Sequence, residues 1–177
     1  MIGKLGVIAL SIGCYGLIAA DSNISEKGLA RLQKEVRHEL VMLPYYGVFD
    51  NLAYRVAPDG TVTLQGQVTR PTLKADAEHA VKDIEGVTKV VNDLEVLPLS
   101  PSDDQLRLAL YRAIYNSSGL NRYALQAVPS VHILVKNGRA TLEGVVNNEA
   151  DRNMAGLQAN AVAGVFSVKN NLRLDEK

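Results

Sequence analysis

Asp59-Gly60-Thr61-Val62-Thr63-Leu64-Gln65-Gly66-Gln67-Val68 returns 78 positions later as Asn137-Gly138-Arg139-Ala140-Thr141-Leu142-Glu143-Gly144-Val145-Val146. Self-similarity at a fixed spacing signals a repeated supersecondary unit. The same spacing sets Glu85-Gly86-Val87 on Ala163-Gly164-Val165, and Val90, Asn92, Leu94 and Val96 on Val168, Asn170, Leu172 and Leu174. Upstream it brings Leu32 and Val36 onto Leu110 and Ile114, and Tyr45 onto Tyr123. Read without gaps, the chain holds two copies of one small unit, joined near Pro98-Leu99-Ser100-Pro101.

Each copy reads as helix, strand, strand, helix, strand. In copy one, Leu29, Leu32, Val36, Leu40 and Leu43 repeat at three and four, which predicts a helix over 25–43. Ser25 stands where a cap is needed and Pro44 follows the end. In copy two, Ser102 and Gln105 have the spacing of a capping box, and Leu106, Ala109, Leu110, Ala113 and Ile114 form the expected buried stripe. Asp59-Gly60 and Asn137-Gly138 are hairpin-turn dipeptides that accept positive φ. Beyond the first turn, Val62, Leu64 and Val68 alternate with polar residues, and Gly66 and Gly144 fall on the inward face, where a helix is expected to pack closely.

A second helix is predicted over 72–84, ended by Gly86 in copy one and by Gly164 in copy two. Strands joined through helices lie parallel and hairpin strands antiparallel. The expectation is an α+β fold: per copy, a mixed three-stranded sheet with two helices on one face. The boundaries expected are 25–98 for copy one, 99–102 for the linker and 103–175 for copy two.

The pattern Leu64-x-Gly66-x-Val68, a helix, then Gly86-Val87-x-x-Val90-x-Asn92-x-Leu94 resembles the BON domain, and copy two repeats it from Leu142 to Leu172. The similarity runs from about residue 28 to 174 and extends to the osmotically inducible periplasmic protein Y group of that family. It implies a periplasmic or outer-membrane-associated protein without catalytic residues, one that binds phospholipid and supports envelope integrity. It also implies that the first helix of copy two takes part where anionic lipid is bound. The structural positions it marks are Gly66, Gly86, Asn92, Gly144, Gly164 and Asn170.

Residues 1–20 read as an export address. Met1–Lys4 is short and basic, Leu5–Ala20 carries no charge, and Ala19-Ala20 precedes polar Asp21-Ser22-Asn23. A membrane-spanning helix needs about 20 apolar residues, so sixteen favour a secretory signal over an anchor. Cys14, the only cysteine, has two readings. It is a lipidation site in the lipobox Ser11-Ile12-Gly13-Cys14, or a small apolar residue in a discarded signal. Ser11 stands where leucine is preferred, which favours the second.

The 177 residues carry no net charge, but residues 21–98 hold 9 Lys/Arg against 12 Asp/Glu and residues 99–177 hold 9 against 7. Copy one is therefore −3 and copy two +2. The lack of a global basic excess argues against nucleic acid as a partner. One cysteine and three scattered histidines (His38, His79, His132) offer no metal site, and no cofactor is expected. Ser100-Pro101-Ser102 and Ser117-Ser118 sit in no nucleophile pattern, and Asp103-Asp104 reads as first-turn acids facing a helix dipole. The chain is therefore expected to be no enzyme.

One constellation suits an anionic surface. Arg107, Leu108, Tyr111, Arg112 and Tyr115 lie off the predicted stripe of the first helix of copy two, with Arg122 and Tyr123 just beyond it. Arginine pairs with lipid phosphate while tyrosine and leucine enter the interface. The competing expectation is that Tyr111 and Tyr115 pack against copy one or against their own sheet edge. The corresponding face of copy one mixes Lys27, Arg31 and Lys34 with Glu35 and Glu39. The function expected is weak phospholipid binding through copy two, with a protein–protein adaptor or stress-induced structural role as the alternative. Envelope proteins are the expected partners in that case.

Overall fold

The computed structural model describes residues 24–126 and 128–175. The export signal expected over 1–20 and its Cys14 lie outside these residues. Copy one runs α1 (Glu26–Val41), β1 (Asn51–Val56), β2 (Thr61–Val68), α2 (Pro71–Lys82) and β3 (Lys89–Val96). Copy two runs α3 (Pro101–Tyr115), a 3-10 turn (Asn121–Ala124), β4 (Val131–Lys136), β5 (Arg139–Val146), α4 (Glu149–Asn160), β6 (Ser167–Asn170) and β7 (Arg173–Leu174). In each copy the middle strand pairs antiparallel with its hairpin partner and parallel with the strand after the helix. β6 and β7 are one strand interrupted at Asn171-Leu172, and both pair with β5. The α+β architecture read from the repeat is the one observed.

Two cores form, one per copy. Leu32, Val36 and Leu40 of α1 meet Val62, Leu64 and Val68 of β2 and Leu73, Ala77 and Val81 of α2. Leu110 and Ile114 of α3 meet Ile133, Leu142, Val146, Ala155 and Ala159. Fully burying such an aliphatic side chain contributes about 1.5–3 kcal/mol, so these residues supply most of the drive to fold.

Several local expectations are corrected. The Ser25 hydroxyl does cap α1, accepting from Gly28 N at 3.2 Å. Copy two is capped by Ser100 rather than Ser102: its hydroxyl accepts from Asp103 N, and Pro101 takes the first helical position, where its missing N–H costs nothing. Gly86 and Gly164 do not end their helices. Each sits three residues past the C-cap (Asp83, Ala161) at positive φ, turning the chain into the next strand.

The close neighbour of Gly66 and Gly144 is a strand, not a helix. With φ near +120°, a Cβ there would stand 2.1 Å from the Asn51 carbonyl oxygen and 2.0 Å from that of Ser130. The gap-free repeat also breaks at the hairpins. Tyr54 pairs with Leu64, but Ile133 pairs with Leu142, so β1 and β4 correspond at a spacing of 79 while β2 and β5 keep 78. Copy two has one residue fewer in its hairpin and one more before it. Its turn is the tight one, with positive φ at both Asn137 and Gly138.

Candidate functional site

Asparagine clamps hold the third strand to the helix above it in both copies. Asn92 Nδ2 donates to Lys74 O at 2.9 Å and Asn170 Nδ2 to Arg152 O at 2.7 Å. The amide oxygens accept from Leu94 N and Leu172 N. Asn92 also reaches the Glu78 carboxylate, where copy two has Gly156. The clamps orient α2 and α4 and therefore the faces these helices present to solvent.

The residues expected to form one exposed basic-aromatic face are divided by the structure. Arg107, Tyr115 and Tyr123 are 5%, 4% and 5% exposed, which corrects their placement on the surface. Arg107 pairs with Asp104 and donates to Val135 O at 2.8 Å, its stem lying against β4. The Tyr115 hydroxyl donates to Val131 O, and burial pushes its pKa up. Tyr123 donates to Asp151 and accepts from Asn147 N. Tyr111 packs edge-on against Phe49 of copy one, with ring centroids 6.3 Å apart. The competing expectation for the tyrosines therefore describes their packing: Tyr111 meets copy one, and Tyr115 meets its own sheet edge.

Arg122 stays at the surface but is occupied. It pairs with Asp151 and lies 5.0 Å over the Tyr123 ring; the Tyr123 hydroxyl and Asp151 hold it more firmly charged. Asp103 has a role beyond a dipole partner. It is buried, and its two carboxylate oxygens accept from Asn137 N and Gly138 N, both at 2.8 Å, pinning the hairpin turn to the start of α3.

Leu108 and Arg112 remain exposed on the outer side of α3. The structure adds two residues from α4. Met154 and Leu157 are 39% and 66% exposed, against 48% for Leu108 of α3. The repeat itself could have found them. At the spacing of 78, Leu108, Arg112, Met154 and Leu157 stand on Ala30, Lys34, Asp76 and His79. Copy two thus presents three large apolar side chains and an arginine where copy one is small, polar or charged. Single exposed apolar side chains are ordinary; a group confined to one face invites a partner.

Among the described residues, no cluster of His, Cys, Asp or Glu has the makings of a metal site, and no helix is long and apolar enough to cross a membrane.

A hairpin, an asparagine-clamped helix and a parallel third strand, used twice, define a tandem module of one small domain. Residues 28–98 and 102–176 each match the BON domain, and the chain belongs to that family. BON domains are associated with periplasmic or envelope proteins and with phospholipid binding, and the family is generally non-enzymatic. The comparison with curated proteins found no match. Two solved structures of CdsD, a structural protein of the type III secretion system of Chlamydia trachomatis, are similar at 16% identity. One, its C-terminal domain, covers 82% of this chain and 98% of its own with a TM-score of 0.33. The other covers 82% and 94% with a TM-score of 0.32.

Proposed function

We propose that this is a non-enzymatic periplasmic or envelope protein, allied to the osmotically inducible protein Y group, that rests on anionic phospholipid through copy two and supports envelope integrity. The observation that carries this reading is the exposure, on the two helices of copy two, of Leu108 and Arg112 of α3 and of Met154 and Leu157 of α4. Apolar side chains enter the acyl boundary while the guanidinium pairs with phosphate. Each basic residue near an anionic surface adds about 1 kcal/mol, so association is weak and salt-sensitive. Of the face first expected, Leu108 and Arg112 retain this role. Arg107, Tyr111, Tyr115, Arg122 and Tyr123 support it from beneath or beside.

Export through residues 1–20 belongs to the same reading. The intact mass of the mature protein decides its form, since a chain starting at Asp21 carries no lipid on Cys14.

Co-sedimentation with phosphatidylglycerol-containing vesicles at low and high salt tests the lipid reading. The parent binds at low salt and is released at high salt, and Arg112→Glu/Leu157→Asp stays in the supernatant. If that double variant sediments like the parent, the face is wrong. Crosslinks to envelope proteins without vesicle binding would favour the adaptor.

A further inference from the structure

β4 is the one strand in the described residues whose five leading residues, Val131 to Val135, are all buried. Strand geometry sends alternate side chains to opposite faces. Val131, Ile133 and Val135 join the core of copy two, while His132 points the other way, where a strand on an open sheet face would meet water. The cover comes from copy one. Tyr46 stacks on the His132 ring, with centroids 5.6 Å apart and planes at 14°, and Tyr46 Oη lies 3.5 Å from His132 Nε2. One residue on, Ile133 N donates to Val48 O at 2.8 Å, and Phe49 meets Tyr111.

The covering segment is fixed to its own copy. The Asp50 carboxylate is buried and accepts from Thr69 N at 2.6 Å, Thr69 Oγ1 at 2.8 Å and Gly47 N at 3.3 Å. Residues 46–50 are therefore an arm of copy one laid against the edge strand of copy two, with one titratable ring at the centre of the contact.

We propose that His132 makes this seam a proton-sensitive latch: the copies stay docked while the imidazole is neutral and part when it is protonated. The geometry gives the reason. His132 Nδ1 is buried without a hydrogen-bond partner, so an added positive charge would be dry and poorly held. The charged groups facing the ring do not compensate. From the arm, Asp50 favours the charged ring, but its oxygens are already accepting three hydrogen bonds. From β5, Glu143 stands opposite His132 in register and accepts from Asn171 Nδ2 at 2.6 Å. Tyr46 is held neutral by burial, its pKa pushed up to about 12, and Arg37 of α1 acts on that hydroxyl. Burial prevails over these carboxylates and over the backbone of Gly47 and Asp50, and holds the His132 pKa below its ordinary value.

The sign follows. The undocked ring takes up a proton near the ordinary histidine value of about 6.5, and the docked ring only at lower pH. Docking is at full strength above that value. Below it the docking constant falls by up to about tenfold per pH unit, until the docked ring titrates as well.

The test is amide hydrogen exchange and small-angle scattering on the full chain at neutral and mildly acidic pH, with His132→Phe and His132→Gln alongside. An NMR titration follows the His132 ring directly. The expected results are a His132 transition below the ordinary histidine value of about 6.5, loss of protection at the Ile133 amide, and a larger radius of gyration in acid. Core amides at Leu64 and Leu142 keep their protection. Neither variant opens in acid; if the phenylalanine variant does not fold, the glutamine variant decides. An Ile133 amide protected equally at both pH values overturns the latch. So does opening of a non-titrating variant at the same pH as the parent, or loss of Leu64 and Leu142 protection together with Ile133.

Discussion

β1 and β4 occupy the same place in their copies and have opposite surroundings. β1 buries one face and leaves Ala53 and Arg55 to solvent, whereas β4 is buried on both faces from Val131 to Val135. The helix layers differ in the reverse sense. Copy one shows polar groups outward, at Asp76 and His79, and copy two shows Met154 and Leu157. One pattern, used twice, thus gives one unit that is polar on both counts and one whose sheet edge is covered by its neighbour and whose helices expose apolar side chains. The aliphatic cores match, copy two adding Tyr115 and Tyr123 to its own, and the rest of the division lies in residues that the shared fold leaves free.

The largest expected effect tests what the copies share. Gly144→Ala places a Cβ against the Ser130 carbonyl at a backbone angle that alanine resists, and Gly66→Ala does the same against Asn51. Each should cost about 3 kcal/mol in urea unfolding. Equal losses confirm that the two sheets are built alike. A loss in one copy alone would break the equivalence.

Asp103→Ala comes next. It removes a buried carboxylate that accepts from two backbone N–H groups of the copy-two hairpin and should cost about 2 kcal/mol. Copy one has Ser25 at that position and a longer turn, so Ser25→Ala should cost about 1 kcal/mol, as the loss of a helix cap does.

A swap of the outer faces sharpens the functional half of the comparison. Met154→Asp/Leu157→His gives copy two the residues of copy one and should lower vesicle affinity about tenfold, by the loss of partly buried apolar area. The reciprocal Asp76→Met/His79→Leu should raise it.

The smallest effect is at the ion pair between the copies. Lys136 and Gln67 hold the Glu95 carboxyl below its ordinary value, so what they add is present at neutral pH and lost as acid protonates Glu95. Because the pair is exposed, Lys136→Met should change stability by about 0.5 kcal/mol or less, and less still in high salt.

The repeat made the architecture legible because hairpin glycines, helix stripes and third-strand valines all recur at one spacing. It hid the hairpin register for the same reason. A residue lost from the turn and one gained before β4 cancel, so the motifs on either side stay aligned. The site was half legible. Leu108 and Arg112 were read as exposed and are. Arg107 and Tyr115 were misread because α3 has a second buried flank, turned toward Val135 and Val131 of β4, which the 3.6-residue stripe does not report. The burial of His132 depends on Tyr46, 86 residues away, and no local pattern carries such a contact.

The bond from Ile133 N to Val48 O has a consequence for how the chain is made. Unpaired strand edges invite pairing with other chains. Chains emerge from synthesis N-terminus first, and domains fold as units in that order. The backbone that shields the edge of β4 is therefore in place before β4 exists. In the reverse order, copy two would meet its neighbours in the cell with that edge bare.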